Sequence, residues 1–408
     1  MPNAIKTLSS GDITRKSLAL LHNNLIFCKL INREYDNRFA RSGAKNGGTL
    51  LIREPNQFTV RTGAVMDTQD IDESTQTLTL ATQKGVDVNF SSAELTLSLD
   101  DFSDRILKPA MARLAADIDS TVLTGCAKSV YNIVYTTIGA APDTVDVRSA
   151  RAKLAKGLAP TNDRAMVMES LSMNAVAVDV PAWFQPGSEI AKAYDTGLMG
   201  RFGGFNFYET EMIPTIINGS RTDATPICNT TEASGITSGT ATVTTTGAAG
   251  TVAVGDIFTI AGVYAVNPET KAVYEHLQQF VITAAHTNDA SDVWAVSPTP
   301  ISSGAKQNIS VVSAGASKAV VFVAAGGSGE ASTGYATNLG FQKGAFTMVT
   351  ADLEMPKGVD FAAREVYDGI SLRIVRNYDI VNDKFPCRID VLFGYKAIRP
   401  EWAVRLPG

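Results

Sequence analysis

A break in composition constrains the fold of this chain more than any other feature of its sequence. No arginine occurs between Arg221 and Arg364, whereas the segments up to Arg221 and from Arg364 hold all nineteen arginines. The arginine-free stretch is rich in Thr, Ser, Gly and Ala, and turn residues separate its β-prone runs. These runs cover 240–244, 256–260, 279–283 and 317–324. The pattern predicts a small antiparallel β-barrel or sandwich.

After Gly344 the composition returns to the earlier type, with strands predicted at 371–375 and 389–393. The β-module between about Asn218 and Lys343 is therefore predicted to be inserted into a discontinuous domain. Before it, an α/β region is predicted from helices at 145–158 and 172–179, a strand at 164–168 and a glycine turn within 200–210. The fold class is α+β.

Apolar residues recur at spacings of three and four between Ile13 and Tyr35, which predicts an amphipathic helix capped by Asp12. Arg15 and Lys16 near its start oppose the helix dipole. We therefore expect a partner to contact this face.

An extended two-stranded arm follows, with strands expected at 49–54, 57–61, 76–82 and 86–90. The acidic residues Asp67, Asp70, Asp72 and Glu73 fall at its tip with no basic neighbour in sequence. Such an arm is marginal alone, so it needs neighbouring chains to pack on. The tip residues are expected to make contacts between subunits. Their carboxylates could instead bind Ca²⁺, but the EF-hand spacing and glycine are missing.

A long spine helix is expected from Leu99 to Thr124, where apolar residues repeat every four positions. Gly125 is predicted to end it, and Pro109 to kink it or mark a restart.

Composition and motifs disfavour several classes of function. The formal net charge of -5 disfavours sequence-specific binding to nucleic acid, and no apolar run approaches the roughly 20 residues that span a membrane. Four cysteines without a CxxC pair and three histidines predict no metal or other cofactor, with thiols reduced in the cytoplasm. The nucleophile-elbow, zinc-protease and phosphate-loop motifs are absent, and Ser303–Lys306 matches S-x-x-K without its companion motifs. The chain is not expected to be an enzyme.

Several long motifs resemble coat proteins of the P22 type, which are phage capsid proteins of the HK97 fold. They are Ile13-Thr14-Arg15 with His22-Asn23-Asn24-Leu25, QKGVD at Gln83–Asp87, LTLSLDDFSDRILKPAMARLAADID at Leu95–Asp119, VGDIFTIAGVYAVNPET at Val254–Thr270 and FGYKAIRPEWAVRLPG at Phe393–Gly408. The resemblance covers nearly the whole chain.

This resemblance implies six parts of an HK97-like fold with an inserted β-barrel. They are an N-terminal helical arm (1–45), an E-loop hairpin (46–92), a P-domain with the spine helix (93–135), the first part of an A-domain (136–217), the inserted I-domain (218–343) and return strands (344–408).

The resemblance also implies a function and partners. Copies would assemble as pentons and hexons into a T=7 icosahedral shell around double-stranded DNA, held without sequence specificity. A scaffolding protein, contacted through Asp12, Arg15 and Lys16, would guide assembly of a procapsid in the host cytoplasm. A portal protein would replace one vertex, decoration proteins could bind outside, and no membrane is involved. The Lys–Asn crosslink of the HK97 phage shell is not expected here.

Two other functions stay open at this point. An encapsulin, a cellular compartment of the same fold, would package enzymes, although the inserted domain argues against it. A hydrolase or surface-binding enzyme could use the β-module to bind a ligand, but the missing nucleophile and base motifs argue against it.

Overall fold

A computed structural model describes most of the chain. The described residues are 10–33, 49–58, 60–66, 68–69, 73, 75–91, 108–179, 200–220, 226–230, 236–248, 250–289, 291–312, 315, 317–323, 334–367, 370–382 and 384–408. Contacts divide the chain into two compact units. Unit 1 comprises Met1–Ile52, Thr75–Val122 and Phe346–Lys396, and unit 2 comprises Arg53–Ser74, Leu123–Ala345 and Ala397–Gly408. The six domain boundaries given above remain predictions.

The predicted N-terminal helix is two helices. α1 is Ser10–Asn24 and α2 is Phe27–Leu30, with a break at Leu25 and Ile26. The prediction that Asp12 caps this helix is wrong, because α1 already includes Ser10 and Asp12 therefore lies inside it. Leu18, Leu21 and Leu25 are buried, as the apolar spacing predicts.

The spine helix is α3, Lys108–Ser129, and the part of the predicted helix from 99 to 107 lies outside the described residues. Pro109 lies at the second position of α3, where its missing N–H costs little, and the predicted kink or restart at this residue stays a prediction. The prediction that Gly125 ends the helix is wrong. The Ser129 hydroxyl donates to the Gly125 carbonyl at 2.9 Å, so the helical turn continues past the glycine.

Unit 1 contains most of the extended hairpin and one larger sheet. The strands are β1 (Thr49–Arg53), β2 (Thr75–Thr79), β3 (Thr82–Ser91), β18 (Phe346–Ala351), β19 (Phe361–Tyr367), β20 (Ile370–Arg376) and β21 (Lys384–Ala397). β1 pairs with β2, and the larger sheet has the order β18-β21-β20-β19, with β3 also paired to β21. α1 packs on β19 and β20. The predicted strands at 49–54, 371–375 and 389–393 therefore correspond to observed strands.

The strand predicted at 57–61 is wrong, since none of its described residues lies in a strand. Phe58 is 60% exposed and Val60 is 95% exposed, so the alternating pattern has no core face to bury.

Unit 2 contains an α/β part in addition to the predicted β-module at 218–343. Its helices are α4 (Thr144–Lys156) and α5 (Ser170–Asp179), and its sheet has the order β22-β17-β4-β6-β5, with β7 paired to β17. The strands are β4 (Arg164–Met168), β5 (Arg201–Phe202), β6 (Phe205–Glu209), β7 (Thr215–Ile217), β17 (Gly334–Gln342) and β22 (Ala403–Pro407). Asp143 begins α4 with a capping box, in which Asp143 and Asp146 each accept the other's backbone N–H.

The seven strands of the largest sheet all come from 227–322 and are antiparallel. They are β8 (Ile227–Cys228), β9 (Thr242–Thr246), β11 (Ile257–Val266), β12 (Val273–Ile282), β14 (Ser291–Ser297), β15 (Ile309–Val311) and β16 (Lys318–Phe322), and a separate pair is formed by β10 (Thr251–Val252) and β13 (His286–Thr287). The order is β12-β14-β9-β8-β16-β11-β15, and β11 also pairs with β12, which closes a ring of six strands. A core around Phe258, Phe280 and Trp294 fills this ring.

Short 3₁₀ helices at Lys343–Ala345 and Pro400–Trp402 complete unit 2.

Candidate assembly surface

The loop between β1 and β2 exposes large apolar side chains to solvent. Ile52 and Leu78 on the two strands are buried, at 4% and 0% exposure. Between the strands, Phe58, Val60, Val65 and Met66 are 60%, 95%, 85% and 77% exposed. Large apolar side chains exposed along one segment typically mark a contact surface. We call these four residues the apolar loop patch.

The sequence pattern suggested the acidic residues of this loop as the contact site and missed the apolar patch. The alternation in Gln57–Arg61 was the available signal for it, but alternation alone does not say whether a face is buried by the same chain or by another.

Of the predicted acidic tip, the structure describes only Glu73. Its carboxylate lies 3.2 Å from the Arg53 guanidinium, with side-chain exposures of 51% and 76%. Glu73 has no basic neighbour in sequence, but β1 brings Arg53 beside it in the structure. Asp67, Asp70 and Asp72 lie outside the described residues. Their role in contacts between subunits remains a prediction.

The predicted scaffold-contact residues lie on α1. Arg15 forms an exposed ion pair with Glu365 of β19 at 3.5 Å, with side-chain exposures of 72% and 28%. An exposed pair of this kind is weak, typically under about 1 kcal/mol, so Arg15 can exchange partners at little cost. Asp12 and Lys16 belong to the same helix, but their side chains lie outside the described part of the structure.

A buried carboxylate fixes the start of α2. Asp119 of α3 accepts hydrogen bonds from the backbone N–H groups of Ile26 at 2.5 Å, Phe27 at 3.2 Å and Cys28 at 3.0 Å. These donors lie at a helix start, where no intrahelical acceptor is available. Burial raises the pKa of Asp119, and the hydrogen bonds from Cys28, Ile26 and Phe27 partly oppose that rise. Asp119 therefore replaces the missing cap of α2 from across 92 residues of sequence.

Two further charged contacts hold the spine helix and the sheet of unit 1. Lys84 of β3 contacts the Asp117 carboxylate and the Thr121 hydroxyl of α3, each at 2.6 Å. Asp390 of β21 is fully buried and binds the Arg373 guanidinium through two hydrogen bonds of 3.0 and 2.7 Å. Paired, bidentate geometry of this kind is what a buried carboxylate requires.

In unit 2 a buried arginine on the last strand joins three segments. Arg405 donates to the carbonyls of Lys128 at 2.9 Å and Gly255 at 2.8 Å, and it is 0% exposed. Burial lowers its pKa to about 10. The contact joins the end of α3 and the turn before β11 to β22.

The cysteines and the possible metal ligands can be compared with the requirements of reactive sites. All four cysteines are buried and none is in a disulfide, and burial raises the pKa of Cys228 to about 12 and of Cys387 to about 11, which disfavours the reactive thiolate. No group of three His, Cys, Asp or Glu side chains within the described ranges could hold a metal ion. Of the helices that the structure describes, none has the length and apolar character needed to span a bilayer.

The sequence and the fold are similar to those of known phage proteins. The family described as P22 coat protein, gene protein 5, matches residues 21–408. A search of curated proteins found no match. Solved structures with distant similarity include Mycobacterium phage Che8 (13% identity, TM-score 0.44, covering 94% of this chain and 90% of that one) and the capsid of cyanophage P-SCSP1u (10%, 0.45, 90% and 84%). The capsid of Ralstonia phage GP4 is similar at 8% identity and a TM-score of 0.45, covering 93% and 86%.

Proposed function

Because this chain belongs to the P22 coat protein family, we propose that its copies form pentons and hexons of an icosahedral shell around double-stranded DNA. The chain is a major capsid protein of a tailed phage, and its copies assemble into the virion shell. The family match does not favour the encapsulin alternative. A structural role, with neither catalysis nor a cofactor, is the function that we propose.

The apolar loop patch is the observation that supports assembly through this loop. Its four side chains leave large apolar areas in water, and burial against a neighbouring subunit would stabilise the assembly by about 25 cal/mol per Å². In a closed shell each subunit can offer its loop to one neighbour and receive the loop of another. We therefore give the β1–β2 hairpin the role of the E-loop. Asp67, Asp70, Asp72 and Glu73 would make polar contacts beside the patch.

The remaining parts of an HK97-like subunit can be assigned in the same way. α1 and α2 serve as the N-terminal arm, α3 as the spine helix, and the sheet containing β4 and β6 as the core of the A-domain. The closed ring of strands from 227–322 supports an inserted barrel within 218–343.

The proposed partners are those of a scaffold-assisted assembly. A scaffolding protein would contact Asp12, Arg15 and Lys16, a portal protein would occupy one vertex, and decoration proteins would bind the finished shell. Assembly would take place in the bacterial cytoplasm, with a T=7 arrangement. Replacing Arg15 and Lys16 with alanine is expected to lower procapsid yield, and an unchanged yield would remove the arm from the scaffold interface.

Electron microscopy of the expressed chain, with and without a candidate scaffolding protein, tests the proposal. We expect closed shells of uniform size, and sequencing of nucleic acid from mature particles should recover a phage genome. Size-exclusion chromatography shows whether the chain stays monomeric. A chain that remains a stable monomer under both conditions would contradict assembly, and particles containing only protein cargo would contradict a genome container.

A further inference from the structure

The turn that joins β20 to β21 presents two exposed aliphatic side chains. Ile380 and Val381 are 82% and 84% exposed, and both lie in the turn itself. Turns favour Gly, Pro, Asn, Asp and Ser, whereas β-branched residues suit strands. The requirements of the turn therefore do not explain these two residues, which we call the aliphatic turn pair.

Hydrogen bonds from neighbouring residues fix the conformation of this turn. The Asp379 carboxylate accepts one from the Val381 N–H at 3.0 Å and another from the Asn382 side-chain amide at 2.7 Å. The Asp379 N–H donates to the Lys384 carbonyl at 2.8 Å, and the Lys384 N–H donates to the Asp379 carbonyl at 3.3 Å. The turn is thus ordered before any partner binds, which lowers the entropic cost of a contact.

Asp379 also gives this turn a negative charge. The hydrogen bond from the Asn382 side chain, and then the one from the Val381 N–H, hold the pKa of Asp379 below its ordinary value. The carboxylate is therefore ionised at neutral pH. A carboxylate offers about four acceptor positions, more than the hydrogen bonds within the turn occupy. Asp379 can therefore accept a further donor from another molecule.

The apolar loop patch has the opposite charge at its centre. Arg61 lies between Val60 and Val65 in sequence, is exposed, and donates to the Gly63 carbonyl. Among the ion pairs of the described residues, none includes Arg61 or Asp379. One apolar surface of this chain therefore contains a cation, and the other contains an anion.

These charges disfavour contacts between two identical surfaces. Two turns in contact would bring two Asp379 carboxylates together, and two loops would bring two Arg61 guanidinium groups together. Like charges facing each other across an interface are costly. A contact between the turn of one copy and the loop of the next would pair opposite charges and cover both apolar surfaces. Contacts between two different surfaces are also those that close a ring of copies.

We propose that the aliphatic turn pair of one copy packs against the apolar loop patch of a neighbouring copy, with Arg61 donating to Asp379. This inference rests on the proposed role of the loop in assembly, and it adds the surface that receives the loop. Apolar side chains around the two charges would exclude water and strengthen their attraction.

Cross-linking between introduced cysteines tests whether the two surfaces meet. The four native cysteines are buried, so a short bis-maleimide reagent should react with introduced, exposed thiols. The test variant combines Val60→Cys with Val381→Cys. The matched control combines Val293→Cys with Val381→Cys, because Val293 is also exposed but lies on β14. Shells of each variant are treated with the reagent and separated on a reducing denaturing gel.

We expect a ladder of multimers from shells of the test variant. The control and each single-cysteine variant should give one band near 43.3 kDa. Cross-linking in Val381→Cys alone would show that turns meet turns, and it would overturn the proposal. Intact shells of the test variant that give only the monomer band would overturn this contact but leave assembly standing. Failure of the unmodified chain to form shells would contradict assembly and this contact together.

A double-mutant cycle measures the charge pair by a second route. Arg61→Gln and Asp379→Asn each remove one charge, and asparagine retains an oxygen that can accept the Val381 N–H. Each single change should lower the yield of closed shells several-fold. The double variant should lose no more than either single variant, since one change already breaks the pair. Losses that multiply in the double variant would overturn the pairing. Circular dichroism spectra establish that each variant is folded.

Discussion

At the scale of single residues, Asp119 has the clearest measurable role. Replacing it with alanine leaves the N–H groups of Ile26, Phe27 and Cys28 without their carboxylate acceptor. Unpaired buried donors cost about 1–3 kcal/mol each, reduced where water can enter. We expect the free energy of unfolding of Asp119→Ala to fall by about 3 kcal/mol, measured by urea denaturation.

Asp117→Ala is the matched control, because it removes a carboxylate from the same helix two residues earlier. Asp117 is 54% exposed and pairs with Lys84. An exposed pair contributes under about 1 kcal/mol. Equal losses in the two variants would contradict the role of Asp119 as the cap of α2.

The same residue predicts a dependence of stability on pH. Because burial raises the folded-state pKa of Asp119 above its ordinary value, the folded protein holds this proton more tightly than the unfolded chain. The proton-linked part of this stability, which is separate from the hydrogen bonds to α2, is therefore fully present below the ordinary carboxyl pKa, about 4, and is lost as the pH rises through the folded-state pKa. The side-chain amide of an Asp119→Asn variant cannot titrate in this range, so that variant lacks this contribution.

Urea denaturation of the unmodified chain and of Asp119→Asn, at steps between about pH 3 and pH 7, measures this effect. The stability of the unmodified chain relative to the variant should decrease as the pH rises. A difference that stays constant, or increases with pH, would show that the pKa is not raised.

At the scale of elements, we expect substitutions in the β1–β2 hairpin to affect assembly of the shell but not folding of the chain. The side chains of Val60 and Met66 are 95% and 77% exposed, so replacing both with serine should change the stability of the isolated chain by less than about 0.5 kcal/mol. The yield of closed shells should fall several-fold, since their apolar area would be buried only between subunits. Sedimentation and electron microscopy measure this yield.

Val293→Ser on β14 provides the control, because Val293 is 53% exposed and lies on a different element. Normal shell yield in Val60→Ser with Met66→Ser would contradict a contact role for the loop. Reduced yield in both the hairpin and the control variants would indicate a general loss of solubility.

Sequence patterns predict correctly those helices and strands that are determined by neighbouring residues in the chain. The strand predicted at 164–168 matches β4 residue for residue, because five consecutive apolar or buried positions between turn signals permit little else. α4 was predicted within two residues at either end, and its capping box is also local. The apolar spacing of the N-terminal segment, by contrast, runs through Leu25 and Ile26 without interruption. The helix breaks there because the Asp119 carboxylate binds the N–H groups that follow, and no local pattern contains that partner.

The candidate contact residues were harder to predict for the same reason. The partner of Glu73 is twenty positions earlier, on the other strand of the hairpin. Exposure of Phe58 and Val60 depends on which neighbour covers them, and a sequence pattern contains no information on that neighbour. The functional prediction therefore depended on the family motifs, whereas most of the fold was predictable from hydrophobic periodicity and turn residues.

At the scale of the whole molecule, we predict that neighbouring subunits are held without covalent crosslinks. Mature particles, boiled in detergent and reductant, should give one band near 43.3 kDa on a denaturing gel. A ladder of multimers that survives this treatment would contradict the prediction. Empty shells of the same chain, run beside the mature particles, would show whether any such ladder forms during maturation.

The strand pair β7–β17 has a consequence for how this chain can be changed. Ile217 faces Gly334 across the pair, so residues 218–333 leave the sheet and return to it at neighbouring backbones, with Cα atoms about 5 Å apart. A Cβ atom on Gly334 would come within 2.9 Å of Thr215, which favours glycine at this position. Since the entropy of closing a loop grows slowly with length, the pair tolerates a longer segment between its strands, whereas removal of 218–333 would also remove the Gly255 carbonyl that the buried Arg405 contacts. Insertions next to this pair therefore change the length of the chain without changing the register of the sheet.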